Sequence, residues 1–160
     1  MFTPGQIIPN KVNGIFKDDS KMIGCGNHRF TIAAVGNDLA VQILDPKRDC
    51  SNGATVELEE IKFENFFTPT NNGWTFVAIA YDHVTKSLSA FNDNGLFRTK
   101  FNVKISRIET ELIGLGVANR DGMPHYLPQD MSLSCVSVYG VALSQNELMN
   151  IQCRCKHELA

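Results

Sequence analysis

The chain has no apolar run near the roughly 18 residues that a membrane span requires, which argues against a helical span. It has no surplus of one charge. Fifteen Lys+Arg face seventeen Asp+Glu, a formal net charge of −2, so no global basic field draws it to nucleic acid. It has a single tryptophan, Trp74, and no Asn-x-Ser/Thr acceptor for N-glycosylation. Met1-Phe2-Thr3-Pro4-Gly5-Gln6 carries neither a basic n-region nor an apolar h-region, so the start is not read as a signal peptide. Catalytic signatures are missing too. No Gly-x-Ser-x-Gly occurs, and His28, His83, His125 and His157 are scattered. Gly24-Cys25-Gly26 lacks the third glycine and the following Lys-Ser/Thr of a phosphate loop. What remains is ordinary: 160 residues, 43% hydrophobic and 20% charged. That excludes disorder for the whole and fits one domain with its own core.

Strand signals dominate. A strand is expected near Gly14–Phe16. Phe30–Val35 and Leu39–Leu44 flank Gly36-Asn37-Asp38 and read as a hairpin. Thr55–Phe63 mixes apolar and charged residues without one phase, which predicts a bulge near Glu59-Glu60. Trp74–Asp82 is β-rich, and Ser87–Phe91 turns through Asn92-Asp93-Asn94-Gly95 into Leu96–Phe101. Asn-Gly at that turn suits the positive φ of a tight hairpin. A short strand is expected over Thr110–Leu115, then a long polar loop over 117–130. Met131–Tyr139 alternates at period two and predicts a long strand. The one expected helix is short and opens at Ser144-Gln145-Asn146-Glu147, a capping box. Many short strands and a single late helix indicate an all-β antiparallel sandwich or barrel.

Trp74–Asp82, the Asn-Gly turn before Leu96, Leu112-Ile113-Gly114-Leu115-Gly116, and Val136–Leu148 with its Ala142-Leu143-Ser144-x-x-Glu147 ending follow each other in a distinctive order. Over residues 74–151 this order resembles the laminin-G-like, concanavalin A-like lectin and glucanase sandwiches, pentraxins and thrombospondin N-terminal domains included. The resemblance implies an antiparallel jelly-roll β-sandwich with one short C-terminal helix. Residues 1–160 would form one such domain, belonging to a longer extracellular protein. It does not fix a function, because this fold serves lectins, adhesion modules and glycosidases.

Each chemistry has a plain alternative. Glucanase relatives carry Glu-x-Asp-x-x-Glu on one strand. Here Glu57–Glu64 lacks the central Asp and neighbouring tryptophans, so it reads as a solvated strand face and not as an enzyme. Calcium, the one cofactor the sequence suggests, would take oxygens from loop clusters at Asp18-Asp19, Asn92-Asp93 or Asn119 and Asp121. Solvated loops and a hairpin turn are the alternatives there. Ligand candidates are His125 and Tyr126 in the 117–130 loop. Arg98, Lys100 and Lys104 are expected to share one face toward acidic glycans or anionic matrix. Phe66-Phe67 reads as core.

Five cysteines, Cys25, Cys50, Cys135, Cys153 and Cys155, leave at least one without a partner in the chain. Cys153-Arg154-Cys155 is too tightly spaced for a zinc knuckle. Idle thiols in a reducing cytosol are one reading. The preferred one is an oxidised, extracellular setting. There Cys135 would bridge to Cys153 or Cys155, and Cys25 to Cys50. The expected protein is a non-catalytic extracellular module that recognises a glycan or an extracellular or biomineral matrix component. A structural or oligomerising module is the alternative, and neither nucleic acid nor membrane insertion is expected.

Overall fold

The computed structural model describes residues 12–22, 26–46, 56–67, 73–105, 113–120, 123–127 and 132–159. Every strand pairing is antiparallel, and the one helix among the described residues is C-terminal. The all-β expectation with a late helix therefore holds. The described residues divide into two compact units, 66–104 with 132–159 and 12–65 with 105–127.

In the second unit, β1 (Val12–Met22), β2 (Gly26–Val35), β3 (Asp38–Pro46), β4 (Val56–Phe63) and β8 (Ile113–Leu115) form one sheet in the order β4-β3-β2-β1-β8. The β2–β3 hairpin forms where Gly36-Asn37 predicts it. Val35 pairs with Asp38, and Gly36 has φ 57°. Leu39, Val41, Ile61 and Phe63 are buried. The bulge falls elsewhere than expected. β4 pairs with β3 in unbroken register, whereas β1 shifts register between Gly14 and Phe16. The loss of phase in β4 has another cause: Glu59 shares a face with Ile61 and Phe63 but is exposed, so the core covers only the far end of that face. On the opposite face, Gln42 donates to Glu60, and Lys62 lies 3.5 Å from the same carboxylate.

Residues 117–120 and 123–126 are not loop: they pair antiparallel as β9 (Val117–Arg120) and β10 (Met123–Tyr126). Pro124 is tolerated because it sits in a two-stranded edge ribbon.

The first unit is a meander of β5 (Val77–Asp82), β6 (Ser87–Asn92) and β7 (Phe97–Lys100), in that order. The helix α1 (Gln145–Leu159) belongs to the same unit. Leu148 and Cys155 from α1 join Phe76 and Phe91 in one buried cluster, with Trp74, Ala78, Phe97, Leu143 and Ile151 packed around it. Phe76 and Phe91 meet edge to face at 6.1 Å. Cys135 and Cys155 are disulfide-bonded, with Cα atoms 5.7 Å apart, so the bridge ties α1 to the segment before it. Phe66 and Phe67 are core residues, as expected.

Met131–Tyr139 does not form the long strand expected. Among its described residues only Leu133 makes a bridge, Cys135 adopts a left-handed φ of 53°, and Val136, Val138 and Tyr139 are exposed. Alternation makes a strand only where a partner edge runs alongside, and a left-handed residue breaks the extended run.

The helix start follows its sequence signature. Glu147 N–H donates to Ser144 Oγ at 3.4 Å, while Ser144 N–H donates to Glu147 Oε2 at 2.7 Å. The Ser144 hydroxyl also donates to Glu147 Oε2, and these bonds hold the Glu147 carboxyl below its ordinary pKa. At the β5–β6 turn, Asp82 is lowered in the same way, first by the Val84 N–H and then by Thr85. A folded pKa below the unfolded one means a contribution present above the unfolded value and lost as pH falls through the folded value. Carbon-detected NMR titration should therefore place the Glu147 midpoint below that of the same residue in an unfolded peptide, and Ser144→Ala should raise it. A midpoint unmoved by Ser144→Ala would remove the assigned cause.

Candidate functional site

The ligand candidates separate. His125 and Tyr126 stand on β10, and Tyr126 is 67% exposed. They are residues of a strand, not of a loop. Arg98 and Lys100 alternate on β7, opposite Ala90 and Leu88 of β6. Lys104 does not continue that row. β7 ends at Lys100 and Asn102 turns the chain at φ 61°, so the alternation argument covers two of the three cations. Both β7 cations belong to a stretch without acids: no Asp or Glu lies between Asp93 and Glu109.

The calcium candidates have these positions. Asp18 and Asp19 lie inside β1, paired with Phe30 and Arg29, and not in a loop. Asn119 lies in β9 opposite Pro124. Asp121 is outside the described residues, as are Cys25 and Cys50. Asn92 and Asp93 are both engaged within the first unit. Asn92 Oδ1 accepts from the N–H groups of Asn94 and Leu96, and its Nδ2 donates to the Phe66 carbonyl at 2.6 Å. Asp93 Oδ1 accepts from Phe76 N–H at 2.6 Å and from Gln152 at 3.2 Å, with Lys156 at 3.8 Å. These side chains organise the hairpin turn and hold α1 against it. Among the described residues, no three His, Cys, Asp or Glu side chains converge as metal ligands.

Of the Glu57–Glu64 run, Glu59 is exposed on β4 and Glu64 is exposed on the turn after it, while Glu60 is half-buried and accepts from Gln42. Cys153 is an exposed free thiol.

Sequence reasoning missed the end of the meander opposite the Asn92 turn. Residues 83–86 and 101–104 lie side by side there, joined by Val103 N–H to the Lys86 carbonyl at 3.0 Å. The Tyr81 hydroxyl donates to the Val103 carbonyl at 2.9 Å. The missed signal was local: Val84 and Phe101 are apolar residues at positions where turn chemistry predicts polar ones. No family model, curated protein or solved structure matches the chain.

Proposed function

We propose that the chain is a non-catalytic extracellular recognition module of the laminin-G-like, jelly-roll sandwich type, which binds acidic glycans or anionic matrix. The observation that carries this reading is the β7 pair, Arg98 and Lys100, spaced at period two along one strand of the meander. The Cys135–Cys155 bridge supports an oxidising, extracellular setting. Fully antiparallel pairing and the capped C-terminal helix are compatible with the sandwich. Calcium dependence is part of the proposal.

A glycan array probed with calcium and then with chelator tests it. Sulfated or uronate glycans should be retained, and Arg98→Ala with Lys100→Ala should lower binding by about 30-fold, each cation contributing about 1 kcal/mol. A second reading, assembly of copies of this chain, is favoured by exposed Val136, Val138, Tyr139 and Val141. An empty array together with a dimer in light scattering would replace the first reading by the second.

A further inference from the structure

We propose that the double-loop end of the meander, residues 83–86 and 101–104, docks on the surface of an anionic phospholipid bilayer. Val84 is 76% exposed and Phe101 is 71% exposed, exposures that only Val141 equals among the large apolar side chains described. Isolated exposed apolar residues are normal on proteins. These two sit on adjacent loops at one end of one sheet, and the loops are held rather than floppy. Asp82 Oδ1 accepts from the Val84 and Thr85 N–H groups, Thr85 bonds to Ser87, and the Val103 backbone is fixed to Lys86 and Tyr81. Val103 itself is buried and anchors the second loop.

The charge around them has one dominant sign. Lys86, Lys100 and Lys104 are all exposed. Asp82 is the acid of this end, and its Oδ1 is already occupied by the turn. Cations ringing two apolar tips match the profile of an anionic interface. The ammonium groups meet headgroup phosphates and carboxylates, while phenyl and isopropyl groups enter the acyl boundary. A sulfated glycan has the same charge but offers no apolar depth to Val84, so the bilayer is favoured. The surface shares Lys100 and Lys104 with the glycan candidates but stands on Val84 and Phe101.

Co-sedimentation of the full chain with phosphatidylcholine–phosphatidylserine vesicles tests this, with phosphatidylcholine alone as control. The mixed vesicles should retain the protein, and binding should weaken with salt. Phe101→Ser should weaken it about tenfold, Lys100→Ala and Lys104→Ala about fivefold each, and Phe101→Leu much less. Melting should be unchanged in each variant, because these side chains are exposed. Failure to sediment with mixed vesicles overturns the proposal. So does sedimentation that Phe101→Ser leaves intact, which would mean charge alone. Retention on heparin through the lysines without any vesicle binding would also overturn it and return this end of the sheet to the acidic-glycan reading.

Discussion

Gly14→Ala should be among the most damaging single substitutions in this chain, although it adds one methyl group. A Cβ at Gly14 would stand 2.1 Å from the His125 carbonyl oxygen, 2.3 Å from the Ala118 nitrogen and 2.6 Å from the Val117 carbonyl carbon. All three are backbone atoms of the β9–β10 pair, so no side-chain rotation relieves the overlap. The pair must lift off β1, and the burial of Ala118, which is 0% exposed, goes with it. Overpacking of this kind costs about 3 kcal/mol, and the rigid backbone neighbours place it at the upper end of the usual range. For a chain of this size that is a melting temperature about 10 °C lower. Hydrogen exchange should localise the loosening to β9 and β10. Gly140→Ala is the matched control, because nothing lies within 4 Å of its added Cβ. A Gly14→Ala protein melting with the parent would mean that the β9–β10 pair does not rest on β1.

Gly14 also shows why parts of the fold were legible in the sequence and others were not. Local turn chemistry was readable wherever glycine or asparagine sat between apolar strands. Gly36-Asn37 and the Asn92–Gly95 turn both formed, and the Ser144–Glu147 box opened the helix. The β9–β10 pair had a comparable signal in Asp121-Gly122, but its flanks are short and include Pro124. Alternation could not mark it, because its seat is the bare backbone of Gly14. The outer half of β1 failed for a related reason. Lys17-Asp18-Asp19-Ser20-Lys21 reads as a loop, yet its backbone pairs with β2 out to Met22 opposite Gly26. The β8 pairing ends at Asp18 and the β3 pairing of β2 at Arg29, so from Ser20 on β1 and β2 are a two-stranded ribbon, which needs only its ladder and leaves no apolar period in the sequence. The opposite error was made at Met131–Tyr139. There the period was present, but no described strand runs beside it to use it. Candidate chemistry followed the same division. Arg98 and Lys100 were placed correctly by strand period, while Lys104 was lost at Asn102, whose left-handed turn nothing in composition announces.

Loss of the Cys135–Cys155 bridge is the other large effect to expect. The two cysteines are 20 positions apart, and closing a loop of that length restricts the unfolded chain by about 3 kcal/mol in the chain-entropy account. The sequence left the partner open between Cys153 and Cys155, and helix geometry decides it. Leu148, Gln152 and Cys155 recur on one face of α1 at four- and three-residue steps and are buried, whereas Cys153 points outward. Cys155 is also a member of the apolar cluster with Phe76, Phe91 and Leu148. Its side chain therefore contributes packing as well as the covalent link. Cys135→Ala removes the link while leaving Cys155 in the cluster, at the cost of the smaller contact that half-buried Cys135 makes with it. That variant should melt about 10 °C below the parent, and reductant should lower the parent toward it while leaving the variant nearly unchanged. Alkylation of the unreduced native protein should label Cys153 and spare Cys135 and Cys155 in a peptide map. Labelling of Cys135 without reductant would show the bridge to be absent. The extracellular setting would then lose its main support, and α1 would be held to the meander without a covalent link, by the packing of Leu148, Ile151 and Cys155 and by the Gln152 and Lys156 contacts with Asp93.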